Sequence, residues 1–130
     1  MKFKLITPKT GEDLIFTNEM ICEFLHKHLD QYGDSKEAIN ACLNYALAKD
    51  GKSGGNILLA LVKDEIVGAV VTNETGMTGY IPENILVYIA VNGDYRGQRI
   101  GKQLIDNIKK VTTGDIALHV EHTNPAKRLY

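Results

Sequence analysis

The sequence predicts an α/β fold, a mixed β-sheet flanked by helices in the order β-α-α-β-β-β-α-β-α. Apolar residues recur at helical spacing early in the chain and again after Gly93, whereas the middle carries β-branched and aliphatic runs. We find no internal repeat, linker or low-complexity segment, so helices packed on one sheet are favoured. A chain of 130 residues with 44% hydrophobic content is sufficient for one domain with a single core.

The first part of the chain is predicted to form one strand and two helices. Residues 3–7 are typical of a short strand, and residues 10–13 resemble the cap that starts a helix. The apolar stripe of this helix consists of Met20, Ile21, Phe24, Leu25, Leu29 and Tyr32. Asp34, with Glu37 three residues later, offers the cap of a second helix that ends near Gly51. The apolar stripe of this second helix consists of Ile39, Cys42, Leu43 and Ala46.

The middle of the chain is predicted to form three strands. Residues 56–62 and 66–72 are β-branched and aliphatic runs, and the residues between them are typical of a hairpin turn. A loop that contains glycine and proline then leads to residues 85–91, which are apolar throughout. Because such a strand has apolar side chains on both faces, we expect it in the middle of a covered sheet.

The last part is predicted to form a helix, a strand and the start of another helix. The apolar residues of the first of these helices are Ile100, Leu104, Ile105, Ile108 and Val111, and Gly114 closes it. Residues 116–120 are typical of a fifth strand. Asn124 and Pro125 then begin a final helix, since Asn caps a helix well and Pro fits its first turn.

Composition and charge exclude several classes of function. The 15 basic and 16 acidic residues leave a net charge of −1, so no global basic field would hold nucleic acid or an anionic membrane. The N-terminus has no long apolar run, so we expect neither a signal peptide nor a membrane span and infer a cytoplasmic protein. Cys22 and Cys42 match no metal-ligand spacing, and we expect them to be buried free thiols rather than a disulfide.

One loop carries the strongest indication of a ligand. Residues 93–102 lie between the buried strand and the start of an amphipathic helix, where backbone N–H groups lack intrahelical partners. Gly97 and Gly101 allow a ligand to approach the backbone, and three cations favour a pyrophosphate: Arg96, Arg99 and Lys102. The spacing differs from the dinucleotide fingerprint, and residues 51–53 lack the context of a nucleotide-binding P-loop. The alternative interpretation is a glycine-containing turn followed by a solvated basic helix start.

Residues 95–102 resemble the acyl-CoA signature of the GCN5-related N-acetyltransferases, the GNAT family. The family's pattern is Arg or Gln, two residues, Gly, one residue, then Gly or Ala. Arg96 matches the first position and Gly101 the last, whereas Arg99 stands where the pattern has its middle Gly. In the first turn of a helix, Arg99 would keep a helical backbone and still donate its N–H. The order of elements and residues 118–130 are also similar to the family.

The resemblance implies that acetyl-CoA is bound as the acyl donor. Backbone groups of Ile89 and Val91 would hold its pantetheine arm, and amides of residues 97–102 would hold its pyrophosphate. The full set of implied cofactor-binding residues is Ile89, Val91, Arg96, Gly97, Gln98, Arg99, Ile100, Gly101, Lys102 and Asn124.

The resemblance also implies three catalytic groups. The backbone N–H of Ile89 would polarise the thioester carbonyl, and Tyr130 stands where the family has the Tyr that protonates the departing thiolate. His119, between two apolar residues of the fifth strand, is the candidate base for the amine. Asn124 lies one residue closer to Tyr130 than in most of the family. With a turn one residue shorter, Asn124 and His119 keep their roles, whereas a shifted helix start would put Thr123 at the Asn position and weaken the assignment of His119. The alternatives to His119 are Glu83, Glu121, His122 and a base reached through water.

The preferred hypothesis is an acetyl-CoA-dependent N-acetyltransferase that moves an acetyl group directly to a primary amine of a small molecule or peptide. The alternatives are a non-catalytic acyl-CoA-binding or protein-interaction module with the same fold, and an unrelated α/β anion-binding domain. Acidic residues near the expected acceptor groove would attract a cationic amine: Glu19, Glu23, Asp30, Asp34 and Glu74. A homodimer is expected only by analogy, and neither nucleic acid nor a membrane is expected as a partner.

We expect residues 1–130 to form a single acyl-CoA N-acyltransferase domain without the usual C-terminal strands of the family. The family normally continues past the Tyr with the rest of a helix and one or two further strands beside the fifth. Because an uncovered fifth strand would expose unpaired backbone groups, either the chain is truncated or a partner supplies the missing strand. Truncation is the favoured explanation.

Overall fold

The computed structural model of the protein describes residues 1–29, 33–77 and 82–117. The strands of this part are β1 (Lys2–Ile6), β2 (Gly55–Val62), β3 (Glu65–Glu74), β4 (Asn84–Val91) and β5 (Ile116–Ala117). The helices are α1 (Asn18–Leu29), α2 (Lys36–Ala46) and α3 (Ile100–Val111), with short 3-10 turns at Lys49–Gly51 and Gly93–Tyr95. Among the described residues, no helix is both long and apolar enough to span a membrane.

The strands form one mixed sheet in the order β1-β2-β3-β4-β5. Neighbouring strands from β1 to β4 are antiparallel, whereas β5 runs parallel to β4. β4 therefore lies inside the sheet, as its apolar run predicts. The β2–β3 hairpin turns through Lys63 and Asp64 alone, with φ angles of 51° and 61° that suit a two-residue turn. The predicted mixed α/β class is confirmed.

Helices cover both faces of the sheet, so the described part of the chain has two layers of core. α1 and α2 pack on one face, and α3 packs on the other. β4 contributes to both layers: Tyr88 and Ala90 lie in the core beneath α1 and α2, and Leu86 and Ile89 lie in the core beneath α3. The strand that the sequence places in a doubly covered position is in that position.

β4 contains one extra residue relative to β3. Val71 pairs with Tyr88 while the following residue, Thr72, pairs with Leu86, which leaves Val87 as a β-bulge. Because side chains and backbone groups alternate along a strand, one inserted residue shifts this alternation for the rest of the strand. The shift explains why Leu86 and Ile89, three residues apart, both lie in the core beneath α3.

The predicted starts of the first two helices are wrong by one to several residues. α1 begins at Asn18, directly after Thr17, and not at residues 10–13. α2 is capped by Ser35, whose hydroxyl accepts a backbone N–H at 3.2 Å, and not by Asp34. Each stretch contains more than one residue that can cap a helix, and the packing of the apolar stripe decides which of them stands at the helix end.

Both cysteines are free thiols, as the sequence predicts, although only Cys22 is fully buried and Cys42 is half-buried. Desolvation raises the pKa of Cys22, and it raises the pKa of Cys42 to about 12. Both thiols therefore stay protonated at neutral pH and behave as small apolar groups of α1 and α2.

Candidate functional site

The segment between β4 and α3 leads the chain through a short turn into the helix. Asn92 Oδ1 accepts the N–H of Asp94 at 2.9 Å and begins the 3-10 turn Gly93–Tyr95. Gly97 (φ 87°) and Arg99 (φ 60°) then adopt left-handed backbone conformations. Arg99 is the residue directly before α3, and its side chain makes no capping hydrogen bond. This end of α3, which the side chain of Arg99 does not cap, is the open start of the helix.

The expectation that Arg99 keeps a helical backbone is wrong. At φ 60° and ψ 23°, Arg99 has the left-handed conformation that Gly adopts most readily. For an L-residue with a Cβ atom this conformation costs on the order of 1 kcal/mol. Arg99 occupies the position at which the resembled pattern carries Gly, so the backbone conformation that Gly favours is present even though Gly is not.

Within the described residues, backbone N–H groups without a hydrogen-bond acceptor lie at the start of α3. The N–H of Gln103 makes the first helical bond, to the carbonyl of Arg99 at 3.0 Å. The amides of Ile100, Gly101 and Lys102 precede that bond and have no acceptor within the helix. Together with the positive end of the helix dipole, these donors form a site that suits an anion.

Exposed cations surround this helix start. The side chains of Arg96 and Arg99 are exposed, and so is that of Lys102 in the first turn of α3. Lys102 also forms a surface ion pair with Asp106 at 3.6 Å, one helical turn further along. Because such exposed pairs contribute well under about 1 kcal/mol, Lys102 can exchange Asp106 for a more highly charged ligand.

The backbone groups of Ile89 and Val91 point away from β3. The N–H of Asn92 donates to the carbonyl of Val67 in β3 at 2.8 Å. Because hydrogen-bonded and non-hydrogen-bonded pairs alternate along antiparallel strands, Ile89 and Val91 are in non-hydrogen-bonded pairs with β3. Their N–H and C=O groups are directed to the opposite side of β4. At its other end, this side of β4 is bonded to the β5 region, since the N–H of Asn84 donates to the carbonyl of Asp115 at 3.1 Å.

The structure therefore brings part of the predicted site together. Ile89, Val91 and residues 96–102 follow one another along the side of β4 that faces away from β3 and around the open start of α3. His119, Asn124 and Tyr130 lie outside the described residues. The described site has backbone hydrogen-bonding groups along β4, followed by backbone donors and positive charge at the start of α3. A long ligand with an anionic part requires such an arrangement.

Glu83, one of the alternatives to His119 as a base, has a structural role. Its Oε2 accepts the N–H of Asp115 at 2.8 Å, and this bond lowers the pKa of Glu83. The carboxylate thus holds the turn that leads into β5. A carboxylate whose charged form is stabilised in this way is a poorer base than an ordinary one.

Sequence patterns did not reveal one polar contact on β4. The hydroxyl of Tyr88 donates to Oδ2 of Asp34 at 2.5 Å, and burial followed by this bond raises the pKa of Tyr88. Two signals in the sequence point towards the contact. A Tyr inside a buried strand needs a partner for its hydroxyl, and of two adjacent helix-capping residues, Asp34 and Ser35, only one can cap the helix.

Comparison with known protein families gives a match over more than half of the chain. Residues 53–130 match the family model described as an acetyltransferase (GNAT) domain. This range covers the β2–β3 hairpin, β4, the open start of α3 and the residues that follow. A search of curated proteins returned no sequence match.

Solved structures similar to the chain include several acetyltransferases. A probable acetyltransferase has 19% identity and a TM-score of 0.71, over 100% of this chain and 86% of its own. A ribosomal-protein-alanine N-acetyltransferase from Brucella melitensis biovar Abortus 2308 has 18% identity and a TM-score of 0.64, over 99% of this chain and 86% of its own. An aminoglycoside acetyltransferase from an uncultured soil metagenomic sample has 16% identity and a TM-score of 0.62, over 98% of this chain and 82% of its own. At these identities the likeness shows the fold.

Proposed function

The chain belongs to the GNAT family of acetyltransferases, and from that premise we propose that it transfers the acetyl group of acetyl-CoA to a primary amine. The open start of α3 is the observation that supports this most directly, because its unpaired N–H groups and exposed cations suit a pyrophosphate. The backbone groups of Ile89 and Val91 that point away from β3 would pair with the amides of the pantetheine arm, as an added strand pairs with a sheet edge.

The phosphate contacts would come from the backbone as well as from side chains. The amides of residues 97–102 are the proposed donors, with Arg96 and Lys102 adding charge-assisted bonds. A Cβ atom built on Gly97 has no neighbour within 4 Å. Gly97 therefore allows the positive φ of this turn, and the space beside it is open to a ligand.

Acetyl transfer needs a neutral amine, a donor for the developing oxyanion and a proton for the leaving sulfur. The N–H of Ile89 is the candidate oxyanion donor, because the sheet holds it rigid and β3 does not use it. A bond forms between the amine nitrogen and the acetyl carbon as the carbon–sulfur bond breaks. The amine gives one proton to a base, for which His119 is the candidate, and the sulfur receives one from Tyr130.

We propose a primary amine of a small molecule or peptide as the acceptor. The names of two proteins similar in fold support this class, since one is an acetyltransferase of ribosomal-protein alanine and the other of aminoglycosides. Both kinds of acceptor present an amine that is charged at neutral pH, so the site must accept a cation and then release its proton.

The test combines binding and turnover. The purified protein is titrated with CoA by calorimetry, and free thiol release from acetyl-CoA is followed with alkyl diamines, an aminoglycoside and short peptides. We expect CoA to bind and at least one amine to accelerate thiol release. Binding without release by any amine would favour a non-catalytic acyl-CoA-binding module. Failure of CoA to bind at millimolar concentration would contradict the proposal. A rise in the melting temperature with sulfate as large as the rise with CoA would also contradict it.

A matched pair of variants tests the location. Arg96→Ala should weaken CoA binding by about tenfold, because it removes one charge-assisted contact to the pyrophosphate. Lys110→Ala removes the same charge at the opposite end of α3 and should leave the affinity unchanged. Equal effects of the two substitutions would mean that only the net charge of the protein matters.

A further inference from the structure

His28 lies in the last turn of α1, with its ring packed against the preceding turn. The centroids of the His28 and Phe24 rings are 4.5 Å apart, and the two residues are one helical turn from each other. Phe24 in turn packs against the core beneath α1 and α2. The imidazole is therefore half-buried and held in place, whereas the neighbouring His26 is exposed.

The last turn of α1 lies beside the segment that joins β4 to α3. α1 packs over β4, and the charges of Asp94 and Arg96, both in the joining segment, act on the His28 imidazole. Because the field of a charge at a protein surface is largely screened beyond about 10 Å, the imidazole lies near both residues. Arg96 is one of the proposed phosphate contacts, so His28 borders the proposed phosphate site from a different element.

More positive than negative charge faces His28. Lys27 precedes it in α1 and Arg96 faces it from the joining segment, whereas Asp94 is the acid that acts on it. Burial, Lys27 and Arg96 lower the pKa of His28 below its ordinary value of 6.5, and Asp94 opposes this lowering. The imidazole is therefore mostly neutral at pH 7. An anion that binds beside Arg96 would favour the protonated form of His28.

We propose that protonated His28 is a second side-chain contact, beside Arg96, for the phosphates of the acyl donor, and that donor binding therefore takes up a proton; this inference rests on the function proposed above. An imidazolium donates from both ring nitrogens and forms charge-assisted bonds to phosphate oxygens. The pyrophosphate of CoA is already fully ionised at neutral pH, so the proton enters on the protein. By linkage, the affinity for the donor rises as the pH falls through the pKa of His28 in the complex.

The experiment is calorimetry with dephospho-CoA. This compound keeps the pyrophosphate and lacks the 3′-phosphate, the group of CoA that itself titrates near neutral pH. At pH 7 the binding enthalpy is measured in buffers of different ionisation enthalpy, which gives the number of protons exchanged on binding. We expect uptake of a fraction of one proton. The affinity should be about twofold to fivefold higher at pH 5.5 than at pH 8, the range expected for one partly exposed ion pair.

Three variants assign the effect to one side chain. His28→Gln keeps a polar group without the charge and should abolish both the proton uptake and the dependence of affinity on pH. His28→Lys keeps a charge over this whole pH range, so its affinity at pH 8 should match that of the unaltered protein at pH 5.5 and should not vary with pH. His26→Gln changes the exposed histidine of the same turn and should leave both quantities unchanged.

An NMR titration separates a phosphate contact from a role in packing alone. The pKa of His28, followed through its ring protons, should rise when dephospho-CoA is added, by the amount that the ratio of affinities requires. The titration of His26 should stay as it is. If His28 served only to pack on Phe24, His28→Gln would lower the melting temperature while dephospho-CoA left the pKa of His28 unchanged, and this result would overturn the inference.

The outcomes that oppose the inference are distinct from failure of the proposed function. If neither CoA nor dephospho-CoA binds, the proposed function fails and the inference fails with it. If dephospho-CoA binds to His28→Gln with the same affinity, pH dependence and proton uptake as to the unaltered protein, His28 is not a phosphate contact and the inference alone is overturned.

Discussion

At the scale of single residues, Arg99 stands in a backbone conformation that its own side chain disfavours. It precedes α3 with φ 60° and ψ 23°, without a capping bond from its side chain. Left-handed conformations of residues other than Gly persist only where the surrounding structure holds them. Here Ile100 and Leu104 anchor the helix that follows, since both are buried against the sheet. The anchoring of α3 therefore keeps Arg99 in the conformation that leaves the helix start open.

Substitution of Arg99 tests this account. Arg99→Val should have a free energy of unfolding about 1 to 2 kcal/mol lower than Arg99→Gly, because a β-branched residue is poorly accommodated at positive φ. Arg99→Asn should lie between them, since Asn tolerates the left-handed region. Urea denaturation of the three variants measures the differences. Equal stabilities would mean that residue 99 leaves the left-handed region without loss, which contradicts the account.

At the scale of elements, α3 lies close to the sheet because Gly68 has no side chain. A Cβ atom there would lie 2.9 Å from Leu104 Cδ1 and 3.0 Å from Ile100 Cγ2. Gly68 also pairs with Val91, a residue of the proposed pantetheine site. The position of the helix start relative to the side of β4 that faces away from β3 thus depends on a close contact between β3 and α3.

A larger residue at this contact should disturb both stability and binding. Gly68→Val should lower the free energy of unfolding by about 1 to 3 kcal/mol and weaken CoA binding, because overpacking displaces the first turns of α3. Gly68→Ala should have a smaller effect, as the tip of Leu104 can move. Urea denaturation and CoA titration measure the two quantities.

The control for Gly68 is Gly93→Ala. A Cβ atom at Gly93 meets nothing within 4 Å, so this substitution should change stability by less than about 0.5 kcal/mol. If Gly68→Val were as mild as Gly93→Ala, the contact between β3 and α3 would not determine where α3 lies.

At the scale of the whole molecule, the shifted groups that titrate below neutral pH favour the folded state as the pH rises towards neutrality. A backbone N–H lowers the pKa of Asp13 and another lowers that of Glu83, while burial, with nearby cations, lowers the pKa of His28. In the pH range where these three groups titrate, the unfolded chain therefore binds more protons than the folded one. Stability rises with pH wherever this is so.

The melting temperature should consequently fall as the pH is lowered from about 7.5 to 5. The stabilising contribution of His28 is complete above its ordinary pKa of 6.5 and is lost as the pH falls through its lower folded value. Asp13 and Glu83 act in the same direction at more acidic pH, below their ordinary values of 3.8 and 4.5.

Two variants assign the near-neutral part of this dependence. His28→Gln should flatten the slope of melting temperature between about pH 7.5 and 5, while the loss below about pH 4 remains. His26→Gln changes an exposed residue of the same helix and should leave the slope as it is. A slope that is identical in His28→Gln and the unaltered protein would contradict the assignment to His28.

The predictions that succeeded concern features carried by neighbouring residues. Residues 85–91 are apolar throughout, and that run predicted an interior strand, which β4 is. The β2–β3 hairpin and the amphipathic stripe of α3 were likewise predicted from their periodicity. Prediction failed at the helix caps. Residues 10–13 and Asp34 are adequate caps in isolation, but the packing of the two helices places other residues at the helix ends.

The sequence by itself determined the order of helices and strands from β1 to β5, the basic glycine-containing turn before α3 and the similarity to an acyl-CoA signature, since each depends on residues close together in the chain. Only the tertiary structure decided that Val87 forms a bulge and thereby directs the backbone of Ile89 and Val91 away from β3. It also decided the left-handed conformation of Arg99 and the contact between Tyr88 and Asp34. These features arise from packing between residues far apart in sequence, which no local pattern contains.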